Sequence, residues 1–119
     1  MHLAALIVSG AIALLHVYIL VNESFRWGRP AVNKAFGVTA EQAAIMKPMA
    51  ANMGLYNGFL AAGLIWGLIA QDATTPSILT FFLACVAVAG IVGTATTRNR
   101  RIVLIQTVPA AIGLVLLWA

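Results

Sequence analysis

The chain has 119 residues, of which 62% are hydrophobic and only 8% are charged, and its formal net charge is +4. This balance excludes an ordinary soluble globular protein and indicates a membrane protein. The basic residues lie in short breaks between apolar runs and form no stripe with interleaved aromatic residues, so we expect no nucleic-acid partner.

The length of the chain limits the number of membrane spans. A hydrocarbon core about 30 Å thick needs about 20 apolar residues per helix, so about four spans and their connections fill the chain. We therefore predict an all-α fold, with residues 1–119 as a single membrane domain built on a transmembrane four-helix bundle. The predicted spans are approximately 3–21, 49–70, 77–95 and 102–117, with a short amphipathic or interfacial segment between helices 1 and 2.

The first apolar run begins near residue 3 and ends near residue 21, with Ser9 and His16 as polar interruptions. A cleaved signal peptide is the alternative interpretation. It fits poorly, because no basic region precedes the run and the run is longer than the 7–15 or so residues of a typical signal core. We interpret the run as an uncleaved first span.

The connection over residues 22–48 contains Glu23, four basic residues and several Gly and Pro residues. Residues 39–42, Thr-Ala-Glu-Gln, have the pattern of a capping box, which predicts a helix from near Ala40. Pro48 predicts a kink or a new helix start at the membrane surface, because proline removes a backbone donor and disfavours a helical residue before it.

The second span contains two pairs of glycines, Gly54 with Gly58 and Gly63 with Gly67. At about 100° per residue the two pairs point to nearly opposite sides of the helix. We therefore expect this helix to be central and to pack closely against different helices in its two halves. The same glycine faces are candidate surfaces for a homo-oligomer.

The last two spans are separated by a compact basic loop at residues 96–101. Pro76 suits the first turn of the third span. The fourth span carries Gln106 near its start, and Trp118 would anchor its far end at the interface.

The positions of the basic residues predict the orientation. All seven Lys and Arg residues lie in residues 22–48 or 96–101. The positive-inside rule then places these two loops in the cytoplasm and both termini outside. We expect a multi-pass protein of a bacterial cytoplasmic (inner) membrane.

The predicted orientation converts sequence position into depth, at about 1.5 Å per residue of helix. His16 precedes Glu23 by two turns, so both lie on one helix face and about 10 Å apart in depth. Asn52 is about 6 Å and Asn57 about 12 Å from the cytoplasmic boundary on the same scale. Gln106 enters its span from that side as well. Strongly polar side chains therefore concentrate in the cytoplasmic half of the spans.

This clustering predicts a polar pocket that opens towards the cytoplasm. The imidazole of His16 and the carboxyl of Glu23 are candidate catalytic acid and base groups. Four further side chains would bind and orient a small amphipathic or lipid-like molecule: Asn52, Tyr56, Asn57 and Gln106. In the alternative interpretation His16 is a packing residue, Glu23 pairs with a neighbouring cation, and the amides only tie helices together.

A metal site in a helical bundle needs several converging ligands, and only His16 and Glu23 are candidates, so we predict none. The single cysteine, Cys85, offers neither a disulfide nor a CxxC site. We expect no cofactor. A haem bound through His16 remains a minor alternative, because one His can ligate five-coordinate iron.

Three segments together resemble the DUF1304 family of small bacterial four-span membrane proteins. They are His16 to Glu23-Ser-Phe-Arg-Trp27, the run Asn52-Met-Gly-Leu-Tyr-Asn-Gly-Phe-Leu60, and Gln106 to Pro109-Ala. The family pattern has Gln where this chain has Met53. The resemblance implies the four-span fold and these polar positions, and it leaves the activity open.

Three classes of function are consistent with these features. The first is a small intramembrane enzyme or ligand-binding protein that uses the polar pocket, and we favour it. The second is a small proton-coupled transporter or a transporter subunit, which the apolar outer half and the lack of an inverted repeat disfavour. The third is an accessory or structural subunit that packs through its glycine faces.

Overall fold

The computed structural model describes residues 3–119 of the chain, and over this range it is helical with short connections and no strand. The elements in chain order are α1 (Leu3–Leu20), a first π turn (Val21–Phe25), α2 (Pro30–Phe36), α3 (Ala40–Ala70), α4 (Thr75–Thr97), α5 (Arg100–Ile102), a second π turn (Val103–Thr107) and α6 (Val108–Trp118). The predicted all-α fold class is confirmed, and α2 provides the predicted short segment between the first two spans.

Within residues 3–119, four helices are long and apolar enough to cross a membrane, as predicted. They are Leu3–Phe25, Ala40–Ala70, Thr75–Thr97 and Arg100–Trp118. A helix satisfies its own backbone hydrogen bonds, so a long apolar run adopts this form in a bilayer. Each helix also continues beyond the predicted apolar run, because its backbone hydrogen bonds extend into the flanking polar residues.

The capping box at the start of α3 has both of its predicted hydrogen bonds. The backbone N–H of Thr39 donates to Oε1 of Gln42 at 2.9 Å, and the backbone N–H of Gln42 donates to Oγ1 of Thr39 at 3.1 Å. These two backbone N–H groups have no acceptor within the first turn of the helix, and the two side-chain oxygens supply one for each. The helix then continues through Pro48, so no new helix starts there.

The chain divides into two compact units, and the first comprises Met1–Leu14 with Leu60–Ala119. Parts of all four spans contribute to its apolar core, so this unit is a helical bundle. The buried core residues are Ala5, Ile12, Ala13, Leu64, Leu79, Leu83, Val86, Ala110 and Leu117.

Polar contacts connect the last span to α4 within this first unit. The hydroxyl of Thr107 donates to the carbonyl of Ala87 at 2.8 Å. The indole N–H of Trp118 donates to Oγ1 of Thr80 at 2.8 Å. One bond lies near the middle of the span and the other at its end, and together they hold it alongside α4.

The second unit, Leu15–Phe59, contains the end of α1, the first π turn, α2 and the first part of α3. The indole of Trp27 donates to the carbonyl of Ala43 at 2.8 Å and packs edge-on against Phe36, with ring centroids 5.3 Å apart. Gly37 ends α2 with a positive φ of 69°, a conformation that favours glycine. Trp27 thus holds the connection between α1 and α3 against the start of α3.

The glycine pairs of α3 lie against different helices, each within its own unit. In the second unit, a Cβ on Gly58 would lie 2.5 Å from Cδ1 of Leu20. In the first unit, a Cβ on Gly67 would lie 2.6 Å from Cδ2 of Leu79, and one on Gly63 would overlap the ring of Phe82. The two halves of α3 therefore approach α1 and α4 at contact distance.

Candidate functional site

A hydrogen bond between two spans forms the centre of the candidate site. Nδ2 of Asn57 donates to Oε1 of Glu23 at 2.7 Å, and it also donates to the carbonyl of Met53 one turn earlier, at 3.0 Å. Glu23 is only 2% exposed. The second bond holds the amide in the orientation that reaches Glu23, so carboxyl and amide form a defined pair.

Glu23 lies in the first π turn, in which the backbone N–H of Arg26 donates to the carbonyl of Val21 at 3.0 Å. Single π turns inside α-helices occur frequently at functional sites. Asn22 and Glu23 are both buried here although they are consecutive. Glu23 contacts α3, whereas Asn22 lines a cavity beside α2. One turn of backbone therefore presents polar groups to two different surroundings.

Two glycines of α3 allow this close approach. A Cβ on Gly54 would lie 3.2 Å from the backbone carbonyl of Leu20 and would overlap Oγ of Ser24. The hydroxyl of Ser24 donates to the carbonyl of Ala51 at 3.2 Å, which adds a second polar link between the same two segments. Absence of side chains at Gly54 and Gly58 thus places Asn57 within reach of Glu23.

His16 is fully buried, at 0% exposure, on α1. It precedes Glu23 by about two turns, so the two residues lie on similar sides of the α1 segment, with the π turn altering the register slightly. A buried imidazole and a buried carboxyl therefore lie on the same membrane-spanning segment of the second unit.

Asn52 and Tyr56 lie one turn apart on an exposed side of α3. The Tyr56 side chain is 61% exposed, and its ring centroid is 6.1 Å from that of Phe59. The sequence predicts that both residues line a pocket. The structure places them on the helix surface, next in sequence to the Glu23–Asn57 pair.

Gln106 belongs to the first unit, where it lies in the second π turn. Its Cβ would be 3.0 Å from a Cβ placed on Gly90, so it packs against α4. Its assignment as a ligand-binding residue stays a prediction from the sequence.

A cavity of about 270 Å³ lies within the second unit, between the end of α1 and α2. Its polar wall contains Tyr18, Asn22 and Arg26, and its α2 wall contains Ala31, Val32 and Ala35. None of the six residues that the sequence predicts for the site lines this cavity. Asn22 is 4% exposed, so a largely buried amide contributes to its wall.

The sequence interpretation missed the polar residues that flank Glu23. Asn22 and Ser24 adjoin it at the end of the apolar run, and a run of three polar residues at that point was the available signal. It also missed Asn33, which is 8% exposed and whose Oδ1 has no hydrogen-bond partner among the described residues.

No group of three or more His, Cys, Asp or Glu side chains that could hold a metal ion occurs within residues 3–119. The polar groups that link the first π turn to α3 are the Glu23 carboxyl, the Asn57 amide and the Ser24 hydroxyl. Each of these groups can form hydrogen bonds.

A protein-family model with the description "Protein of unknown function (DUF1304)" matches residues 10–118. The chain belongs to the DUF1304 family. The match covers both π turns and all of α3, and it confirms the family resemblance drawn from the sequence motifs. Comparison with curated proteins and with solved structures found no match. The family description names no activity.

Proposed function

We propose that this DUF1304 protein is an integral membrane protein that binds a small amphipathic molecule at the Glu23–Asn57 pair. The observation that carries the proposal is the 2.7 Å hydrogen bond between a 2% exposed carboxyl of one span and an amide of another. A carboxyl inside a span is costly, and intramembrane ionisable residues characteristically belong to functional sites.

The ligand approaches the pair from the exposed side of α3. Asn52 and Tyr56 lie on that side, and each offers a hydrogen-bonding group beside the apolar surface of Phe59. An amphipathic molecule has the matching combination of a polar head and an apolar body. The polar head of the ligand contacts the Asn52 amide and the Tyr56 phenol, and its apolar body lies along the ring of Phe59.

His16 and Glu23 supply the proton-transfer capacity of the site. An imidazole and a carboxyl are the side chains most often used as general acid and base. Proton transfer or isomerisation on a bound molecule would require no further residue type. Asn57 positions the carboxyl for this role through its two hydrogen bonds.

The site faces the cytoplasm in this proposal. The basic loops at residues 22–48 and 96–101 lie on the cytoplasmic side of a bacterial inner membrane, and Glu23 is at the end of its span next to the first of these loops. A ligand would therefore enter from the cytoplasm or from the inner leaflet.

The test is identification of molecules that co-purify with the full chain in mild detergent, by mass spectrometry of an organic extract. Glu23→Gln keeps the size of the side chain and removes the carboxyl. Glu41→Gln makes the same change at an exposed position of α3 and serves as the matched control. We expect one species to be retained by the parent protein and by Glu41→Gln and to be depleted in Glu23→Gln.

Thermal unfolding of each variant separates binding from packing. Depletion in Glu23→Gln with unchanged thermal stability supports the proposal. Equal retention by all three proteins contradicts it. Depletion that accompanies a loss of folding would assign the pair to helix packing instead.

A further inference from the structure

The cavity beside α2 differs in chemistry from the Glu23–Asn57 pair. Its polar wall carries a guanidinium, an amide and a phenol, from Arg26, Asn22 and Tyr18, and no carboxylate lines it. All three groups can donate hydrogen bonds, and one carries a fixed positive charge. The opposite wall, on α2, presents only small apolar side chains. This combination is complementary to an anion attached to an apolar body.

Phosphate is the anion that this wall fits best. A guanidinium forms bidentate, charge-assisted hydrogen bonds with phosphate oxygens, and it keeps its charge at any physiological pH. The Asn22 amide and the Tyr18 hydroxyl supply further donors on the same wall. Asn22 is 4% exposed, so this donor is largely fixed by the surrounding chain.

The position of the cavity along the span identifies the source of the phosphate. Arg26 directly follows the candidate span Leu3–Phe25, so its guanidinium lies at the level of the lipid headgroups. Phe25 is 75% exposed and Trp27 follows Arg26, as is typical of the membrane–water interface. A lipid phosphate is present at this level at high concentration.

We propose that the cavity between the end of α1 and α2 binds the phosphate of an anionic lipid headgroup, with Arg26 as the charged ligand and Asn22 and Tyr18 as additional donors. This site is separate from the Glu23–Asn57 pair. Two consecutive residues of the first π turn belong to the two different sites, because Asn22 lines the cavity while Glu23 contacts α3.

The test uses the full chain in lipid nanodiscs that contain phosphatidylglycerol and phosphatidylcholine in equal amounts. Native mass spectrometry measures how many lipids of each kind stay bound after the disc is removed. Arg26→Gln removes the charge from the cavity. Arg29→Gln removes an exposed charge three residues later that does not line the cavity, and it is the matched control.

We expect the parent protein and Arg29→Gln to retain phosphatidylglycerol preferentially. Arg26→Gln should retain it about tenfold less, the effect expected for loss of a charge-assisted hydrogen bond. Equal losses in both variants would overturn the proposal, because they would indicate attraction by overall charge. Equal retention of both lipids by the parent protein would overturn it as well.

Two further arms test the cavity and the source of the phosphate. Ala35→Leu fills the cavity from an exposed position on α2 without changing charge, and we expect it to lower phosphatidylglycerol retention while thermal unfolding stays unchanged. Inorganic phosphate at millimolar concentration should leave the bound lipid in place. Displacement of the lipid by inorganic phosphate would overturn the lipid source and assign the cavity to free phosphate.

Discussion

Glu23 and Asn57 show how a membrane-spanning segment accommodates a carboxyl group. The amide of Asn57 donates to the carboxyl at 2.7 Å and is itself held by the carbonyl of Met53. A polar group buried without a partner costs considerably more than the net gain from one hydrogen bond. The pair therefore contributes to stability mainly because breaking it would leave a buried carboxyl with fewer partners.

A double-mutant cycle between Glu23→Ala and Asn57→Ala measures this interaction, because each variant removes one partner of the hydrogen bond. We expect Asn57→Ala to destabilise the protein by about 1–3 kcal/mol, since it removes one partner of a buried polar group. The coupling energy should be about 1 kcal/mol, as for other hydrogen bonds between transmembrane helices. The measurement is reversible unfolding in mixed detergent micelles.

The control cycle pairs Asn57→Ala with Glu41→Ala, and its coupling energy should be zero because Glu41 is exposed at the start of α3. A coupling energy between Glu23 and Asn57 as small as that of the control would contradict the hydrogen-bonded geometry.

Asp72 provides a pH-dependent prediction outside the spans. The hydroxyl of Thr74 donates a hydrogen bond to Oδ1 of Asp72, and the backbone N–H of Thr74 donates to the same oxygen at 2.8 Å. These bonds hold the pKa of Asp72 below its ordinary value of 3.8. The hydrogen bonds therefore favour the folded turn at pH values above the ordinary pKa, and this contribution is lost as the pH falls through the lowered pKa.

A carboxyl-carbon NMR titration tests this prediction. Asp72 should titrate below 3.8 in the parent protein and closer to that value in Thr74→Ala. A parent titration at or above the ordinary value would show that Thr74 does not stabilise the carboxylate.

The glycines of α3 determine how closely that helix approaches its neighbours. A Cβ on Gly54 would meet Ser24 and the backbone carbonyl of Leu20, whereas one on Gly10 would meet only Cδ1 of Leu68, at an ordinary 3.8 Å. The cost of adding a methyl group should therefore differ between the two positions, although both are helical glycines.

We expect Gly54→Ala to cost about 1–3 kcal/mol, because a side chain is forced into a closely packed contact. Gly10→Ala should be neutral or stabilising by up to about 1 kcal/mol, since Ala is the better helix former. Thermal unfolding of both variants in the same detergent is the measurement. Equal effects at the two positions would contradict the packing described for α3.

The capping box governs the start of α3. Thr39→Ala removes the hydroxyl that accepts from the backbone N–H of Gln42, and we expect a local cost of about 0.5–2 kcal/mol. Hydrogen exchange should accelerate at the first amides of α3. Amides at the start of α4 provide the internal control, and equal acceleration there would indicate a global change instead.

Several elements could be predicted from sequence because local chemistry specifies them. The capping box located the start of α3 at Ala40, and Pro76 lies in the first turn of α4 as expected. The π turns had no such signal, since a π turn depends on how a helix packs and not on residue type. The shift in register at Val21–Phe25 could therefore not be read from the apolar periodicity.

The sequence predicted which polar residues belong to the candidate site better than it predicted which of them meet. The depth argument places Glu23 at the cytoplasmic boundary and Asn57 about 12 Å deeper, whereas the structure joins them by a hydrogen bond. It could not specify the rotation of α3 about its axis, which leaves Tyr56 61% exposed. The α2 cavity was also missed, because only the fold of the connection brings α2 against the end of α1.

The membrane orientation is a property of the whole chain. We propose that residues 22–48 and 96–101 are cytoplasmic, and this is tested by single cysteines introduced into a Cys85→Ser background. Thr96→Cys, in the last turn of α4, and Ala73→Cys, in the connection before α4, are exposed positions at opposite ends of that helix. A membrane-impermeant maleimide should label Ala73→Cys in intact cells and Thr96→Cys only after lysis.

Labelling of Thr96→Cys in intact cells would reverse the orientation and place the Glu23 end of the first span outside. Such a result would leave the hydrogen bond between Glu23 and Asn57 intact. It would change the compartment from which a ligand enters.

Photo-crosslinking tests most directly whether an amphipathic molecule binds beside the Glu23–Asn57 pair. The full chain in phosphatidylcholine nanodiscs is irradiated with a diazirine-bearing fatty alcohol, and the modified residues are mapped by mass spectrometry. We predict that modification concentrates on residues 52–59 of α3 and on the first π turn, and that Glu23→Gln reduces it there. Modification spread evenly over exposed apolar residues such as Ile7 and Ile112, and unchanged by Glu23→Gln, would contradict the claim.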